Sequence, residues 1–498
     1  MGIILNQSIK GAIGNYVGVL LGALNILIIF PKVLDPDQIG LMRVLQDISI
    51  LIASLSQFGL ANIIDKFFPY FNVDKIKQGG FFLFIILYAF LGFTLICCLL
   101  WGFQNIWVGY YSAKSPLLVN YFLITIPLAL FVLFQQILEA YLRANLQIVF
   151  PLYIREIYLR IALAFFTFLY AFEWISFESL VYCLILGYAF AVFMLLYYMV
   201  KLKYFRVALF EIQANTVILK DMIFYGLIVF LTGFVGVLSS RIDIVMLSSI
   251  SLETTGIYSI AFFMGTVIEI PRRSLSQISI PIISNGWKNN DISLIEAIYK
   301  KTSIVQTIIG GLLFILLIIN LKDVFNLIPN SSIYISGLMV VVIIGLSKLV
   351  DMVSGVNAEI ILSSPFYRIN LYMSVFFGIS NVLFNVLLIP EYGMNGAALG
   401  TLISLVLVNL FRFWVIWRNI HITPFSVQTI KILGVGIVLI GVNYWIDIVG
   451  NTLWKSVLII MIKSVIATVL FIYICFKLKA SEEINQFILS RLKKIKIN

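Results

Sequence analysis

Apolar runs of about twenty residues recur from Gly11 to Phe476, separated by short basic or turn-rich segments. A run of that length matches the hydrocarbon thickness of a bilayer, and as a helix it satisfies its own backbone hydrogen bonds there. Only 11% of the 498 residues are charged and the mean hydropathy is +1.06, which leaves no room for a sizeable soluble domain between the runs. The sequence therefore predicts an all-α polytopic membrane protein with about 14 transmembrane helices. The runs cover 11–31, 41–64, 80–103, 117–138, 156–173 and 178–199, then 222–240, 254–280, 302–320, 335–360, 370–389, 396–417, 431–447 and 456–476. Pro127 and Pro271 interrupt two of these without making two usable spans from either.

Charge placement supplies an orientation. With the N-terminus in the cytoplasm and sides alternating, most of the 34 Lys and Arg fall on inward segments. The outward side receives only Lys32, Arg43, Lys114, Arg241, Lys322 and Lys455, while Lys348 and Lys463 fall within spans. That asymmetry is the positive-inside pattern, so both termini are expected in the cytoplasm of a multi-pass membrane protein. The net charge of +11 is then explained by attraction to anionic lipid headgroups, with no need for nucleic acid. The first apolar run lacks a small-residue cleavage site and reads as a retained helix.

The expected organisation is two six-helix lobes around a central cavity, plus two added helices. The lobes are 1–200 and 201–420, helices thirteen and fourteen occupy 421–476, and a tail runs over 477–498. In that tail Ile484, Phe487, Ile488, Leu492 and Ile495 recur at helical spacing among Arg491, Lys493, Lys494 and Lys496. This is the pattern of a helix lying in the membrane interface. Two polar turns, Asp35–Gly40 and Ser251–Gly256, lie about half the chain apart and each precedes a long helix, as an internal duplication would place them.

Further motifs carry a resemblance. Gly59-Leu60-Ala61 leads into Lys66-Phe67-Phe68-Pro69, Arg241-Ile242-Asp243 ends the seventh run, and Gly256-Ile257-Tyr258 follows. The most specific stretch runs from Ile389-Pro390-Glu391-Tyr392-Gly393 to Gly400-Thr401. In these the chain resembles bacterial polysaccharide biosynthesis flippases, the Wzx-type exporters of O-antigen, capsule and exopolysaccharide in the multidrug/oligosaccharidyl-lipid/polysaccharide superfamily. The resemblance implies 14 helices in two lobes that turn a polyprenyl-diphosphate-linked oligosaccharide from the cytoplasmic to the outer leaflet by alternating access. It also implies membrane lipids, a polysaccharide polymerase and a chain-length regulator as partners.

Such a substrate needs cationic and amide side chains inside the bundle, since charge on a lipid face is costly. Lys348, Asp351, Asn357 and Glu359 fall in the tenth run. Lys348 and Asp351 are three residues apart and share a helix face, either as a site for the diphosphate or as a structural ion pair. Arg43 and Asp47 make an i,i+4 pair, whereas Arg241 and Asp243 cannot share a face and need separate partners. Each pair reads as an outer gate or as a salt bridge between helices. On the inward side Asp65, Lys66, Glu139, Arg143, Arg155, Glu156, Arg160, Glu269, Arg272 and Arg273 would make a basic vestibule. Arg143 and Arg272 are its leading candidates, with Arg143 expected to pair with Glu139.

No catalytic chemistry is evident. His421 is the only histidine, Cys97, Cys98, Cys183 and Cys475 lie in apolar helices, and there is no nucleotide-binding loop or metal spacing. Without a cofactor, coupling falls to a proton or sodium gradient, with Asp351 or Glu359 as the ion site, or to substrate synthesis and removal on opposite sides. A multidrug or small-solute antiporter of the same superfamily is the alternative, and it would favour a carboxylate-dominated cavity. A membrane-embedded glycan enzyme would need longer loops than these.

Overall fold

The computed structural model describes residues 2–71, 75–112, 115–206, 216–446, 450, 452–478 and 480. Of the amphipathic tail expected over 477–498, residues 479 and 481–498 lie outside the described residues. The helices used below are α1 (Gly2–Leu24), α2 (Pro36–Ser56), α3 (Leu60–Phe71), α4 (Lys75–Gly102), α5 (Thr125–Ala144), α6 (Leu159–Ala171), α7 (Phe177–Lys201) and α8 (Thr216–Ser248). They continue as α9 (Leu252–Thr266), α10 (Ile270–Lys288), α11 (Ile292–Ile319), α12 (Leu338–Val353), α13 (Asn357–Ser363), α14 (Arg368–Ile420), α15 (Val427–Ile446) and α16 (Leu453–Lys477). Nine helices among the described residues are long and apolar enough to cross a membrane. The protein is an all-helical, multi-pass membrane protein. Its chain divides into two compact units, Met1–Gly256 and Ile257–Asn498, with the division inside α9.

In the first unit α2 is the central element. Its span is 72% buried, against 28% for α4, because α4, α5 and α8 all pack on it. Asp47 and Ser49 of α2 are therefore buried against protein. Ser49 satisfies its hydroxyl by donating to the Leu45 carbonyl at 2.7 Å, with the Thr125 carbonyl 3.2 Å away. The helix starts where Asp35 is extended and Pro36 takes the first turn, and Gln38 Oε1 accepts from the Asp35 N–H at 3.1 Å. The apolar run at 41–64 is not one straight helix. It breaks into α2 and α3 at Phe58 and Gly59, whose φ angles of 39° and 75° end the helical path. Hydropathy carries no signal for such a break.

The two turns paired by sequence touch each other inside this unit. A Cβ on Gly40 would strike the Leu252 carbonyl, and one on Gly256 would strike the Pro36 carbonyl. The contact is reciprocal, and a side chain at either glycine would force the backbones apart.

In the second unit α11 is flanked by α10, α12, α15 and α16. The run at 335–360 is likewise interrupted, with α12 ending at Val353, Gly355 at φ 66°, and α13 starting at Asn357. The runs at 370–389 and 396–417 join into α14, broken only at Gly393 (φ 55°, ψ −129°). Glycine is the residue that adopts this backbone without strain, which explains its place after Pro390. The outermost span, α16, is only 11% buried. It is held by an ion pair from Lys463 to the buried Asp323 at 3.0 Å, whose other oxygen accepts from Gly450 N–H at 2.9 Å.

Candidate functional site

A cavity of about 590 Å³ opens within the first unit, in the range that holds a small-molecule ligand or headgroup. Two charge clusters line it. The first comes from α2 and α8. Arg43 Nε lies 2.9 Å from Asp47 Oδ2, and Arg241 Nη1 donates to Asp47 Oδ1. Asp47 is only 1% exposed while the guanidiniums are 31% and 27% exposed, so the carboxylate is spent inward and the cations face the cavity. Two positive groups share one negative group. This wall carries a net positive charge.

The second cluster comes from α5, the segment before α6 and the first turn of α6. Arg155 donates through Nη1 to Glu139 Oε2 at 2.9 Å and through Nε to Glu156 Oε1 at 3.1 Å. Arg160 Nη2 holds Glu156 Oε2 at 2.9 Å, and Gln135 donates to Glu139 Oε1 at 3.1 Å. These two arginines and two glutamates balance. Gln46, Gln57, Gln136, Ser54 and Tyr188 complete much of the polar lining. Tyr188 stands within electrostatic reach of Arg241, Asp47, Arg43 and Glu139, which ties both clusters to one space.

Local backbone explains how Arg155 and Glu156, adjacent in sequence, both serve this wall. They sit in a π turn, Ile154–Tyr158, whose extra residue widens the helix. A second π turn, Asn25–Ile29, presents Asn25, whose Nδ2 donates to the Arg160 carbonyl at 2.8 Å. Gly18 and Gly22 of α1 lie over the same side chain. A Cβ on Gly18 would overlap Arg160 Nη1 and the Glu156 backbone, and one on Gly22 would stand 3.3 Å from Arg160 Nε.

The second unit holds a different, fully balanced network. Arg272 Nε lies 3.1 Å from Asp351 Oδ2, and its Nη2 is 4.0 Å from Glu359 Oε1, which also accepts from Ser276. Asn409 donates to Asp351 Oδ1 at 3.1 Å and itself accepts from Asn357 at 2.8 Å. Arg412 lies within electrostatic reach of Asp351 and Glu359. Lys348 Nζ pairs with Glu269 Oε2 at 2.6 Å.

Several expectations change here. Lys348 does not pair with Asp351. Although the two share a face of α12, each reaches a nearer charge on the chain around Pro271, Glu269 for the lysine and Arg272 for the aspartate. Arg143 does not pair with Glu139 either. It holds Asp65 of α3 by two hydrogen bonds, at 3.2 and 2.8 Å, and is 46% exposed. Glu139 turns to Arg155 because that guanidinium stands at the cavity wall. The Arg43–Asp47 pair forms as spaced, and Arg241 joins it. Asp243 is buried in α8. Asn357 and Glu359 join the second-unit network, as does Arg412, which the charge pattern alone places on an inward segment. Among the described residues no group of three His, Cys, Asp or Glu side chains is placed to hold a metal ion.

Gln46, Gln57, Gln135 and Gln136 were missed, although a signal existed. Arg43, Gln46, Ile50, Ser54 and Gln57 recur at helical spacing along α2 and mark its cavity face.

No protein-family model and no curated protein matches the sequence. Solved structures do. An inward closed conformation of the lipid II flippase MurJ aligns with 94% of this chain and 99% of its own at a TM-score of 0.76 and 16% identity. The fold is shared. An inward-facing multidrug resistance MATE family transporter of the MOP superfamily covers 81% of this chain and 94% of its own, with a TM-score of 0.65 and 13% identity. An outward-facing one covers 84% and 95%, at 0.56 and 15%. At such identities the likeness speaks for architecture alone.

Proposed function

We propose that the protein flips a polyprenyl-diphosphate-linked oligosaccharide from the cytoplasmic to the outer leaflet of the inner membrane, by alternating access, during polysaccharide synthesis. The observation that carries this reading is the wall where Arg43 and Arg241 share the single buried carboxylate of Asp47. A diphosphate supplies the missing negative charge, and a guanidinium fork suits phosphate oxygens. The glutamine side chains beside it offer both donors and acceptors, which is what sugar hydroxyls and acetamido groups require. The MurJ-like architecture supports a flippase, and the sequence charge pattern supports cytoplasmic termini. An exporter of cationic drugs is less well served, since a cation entering this cavity meets two arginines at the Asp47 wall.

The test is transport by the purified protein in proteoliposomes. Labelled polyprenyl-diphosphate oligosaccharide should become accessible on the opposite leaflet, and a cationic dye should not be moved. Dye export without lipid-linked sugar transport would transfer the assignment to the multidrug alternative.

A further inference from the structure

We infer that the cavity holds its glycan at a second point, the amide oxygens of Gln57 and Gln135, and so favours lipid-linked chains long enough to reach that point from the Asp47 wall. The inference rests on the flippase reading and concerns the part of the same cavity that lies away from the phosphate wall.

Two contacts fix how α2 and α3 lie alongside α5. Ser49 Oγ is 3.2 Å from the Thr125 carbonyl, and Arg143 Nη2 is 2.8 Å from Asp65 Oδ2, sequence separations of 76 and 78 residues. The chains therefore run in the same direction with a nearly constant offset, which sets Gln57 opposite Gln135. Both side chains line the cavity. Along α2 the step from Asp47 to Gln57 is about ten residues, or ~15 Å of helix. Tyr188 stands within electrostatic reach of Asp47 and of Glu139, so the space is continuous from the wall to the glutamines.

Gln135 is oriented for a ligand. It is only 4% exposed, and its Nε2 donates to Glu139 Oε1 at 3.1 Å. Arg155 Nη1 holds the other Glu139 oxygen at 2.9 Å. A carboxylate only accepts, so the amide turns its N–H side to Glu139 and its oxygen away. That oxygen is buried and, among the described residues, has no hydrogen-bond partner. The same is true of Gln57 Oε1. A buried acceptor left unsatisfied is costly, and two at one level of a cavity mark a place where the donor comes from a ligand. An ionised diphosphate only accepts, which separates this point from the Asp47 wall. A sugar hydroxyl or an acetamido N–H donates. Glu139 and Arg155 act through Gln135 and are positioning residues.

With the diphosphate at Arg43 and Arg241, a single sugar attached to it stops short of this point. A chain of several sugars spans the distance, so the spacing between the two points acts as a length threshold.

The experiment uses the full-length protein in proteoliposomes with a series of polyprenyl-diphosphate probes that carry linear chains of one to five neutral hexoses. The readout is the ratio of transport efficiency between the longest and the shortest probe. In wild type efficiency should step up about tenfold at the length that first reaches the glutamines, the scale of two neutral hydrogen bonds. Gln135→Met keeps the reach of the side chain without its amide and should bring the ratio close to one. Gln57→Met leaves the Gln135–Glu139–Arg155 chain intact and should shrink the step, which gives a second reading should Gln135→Met fail to fold. A flat series in wild type, or a step that folded variants keep, overturns the inference and leaves the flippase reading standing. A loss shared equally by every probe keeps the ratio at its wild-type value and overturns it in the same way, since that is the mark of a structural role. Transport of no probe by wild type overturns the flippase reading itself, and the inference with it.

Discussion

Replacing Asp47 by asparagine and Arg241 by glutamine moves the charge of one cavity wall in opposite directions. The Arg43–Asp47–Arg241 group carries net +1, which becomes +2 in Asp47→Asn and zero in Arg241→Gln. Arg241→Gln leaves Asp47 beside Arg43 at 2.9 Å, so the fold should survive with a loss of about 1–3 kcal/mol for the buried carboxylate's lost partner. A charge-assisted hydrogen bond to a phosphate contributes about 1.5–3 kcal/mol, so its loss should raise the half-saturating substrate concentration roughly ten- to hundredfold. Asp47→Asn removes a buried carboxylate from between two guanidiniums. Losing one partner of a fully buried pair costs about 3–5 kcal/mol, and the partial exposure of both arginines brings this to about 1–3. That variant should melt lower yet, where folded, capture substrate at least as well as wild type and with steeper salt dependence. The assays are melting in detergent and transport in proteoliposomes over a range of substrate and salt. A folded Arg241→Gln protein with unchanged half-saturation refutes the phosphate assignment, as does weaker capture by folded Asp47→Asn at low salt.

Other expectations follow from single contacts. Gly18→Leu should lower the melting temperature by displacing Arg160, at a cost of about 1–3 kcal/mol for an overpacked contact, and should weaken transport with it. Lys463→Met should strand Asp323, which is fully buried, and destabilise the protein by about 3–5 kcal/mol in denaturation experiments, without changing the substrate concentration dependence of folded protein. Arg143→Gln breaks an exposed pair with Asp65, so melting should fall by no more than about 1 kcal/mol and substrate capture should be unchanged. Asp291 starts α11, and hydrogen bonds from the Ser293 hydroxyl and then the Leu294 N–H hold its carboxyl below the ordinary range. Its contribution is therefore present above the unfolded value near pH ~4 and is lost as pH falls through the lower folded value. Melting curves of wild type and Asp291→Asn should differ at neutral pH and converge on acidification.

Apolar runs were enough to read an all-helical membrane fold, because crossing lipid demands length and hydrophobicity that a sequence states openly. The breaks at Phe58–Gly59 and Gly355 were hidden, since they depend on two or three dihedral angles inside apolar stretches. The same division holds in the site. Arg43 and Asp47 were paired correctly because both lie on one helix, where spacing is geometry. Arg241 joins them from 194 residues away, and no local pattern announces a partner at that separation. Glu139 and Lys348 teach the complementary lesson. Each had an opposite charge at suitable spacing on its own helix and took one from a neighbouring element, where packing brings a guanidinium or carboxylate nearer. The Arg155–Arg160 cluster was legible as part of an inward vestibule but not in its pairing with Glu139 and Glu156, because its geometry comes from a π turn that no residue type encodes by itself.

The central claim is that a diphosphate occupies the wall made by Arg43 and Arg241, and a structure of the protein with a bound polyprenyl-diphosphate oligosaccharide tests it most directly. The account predicts phosphate density within hydrogen-bonding distance of both guanidiniums, with the first sugars toward Gln135, Gln136 and Tyr188. Diphosphate density elsewhere, with the Arg43–Asp47–Arg241 wall unoccupied, would contradict it.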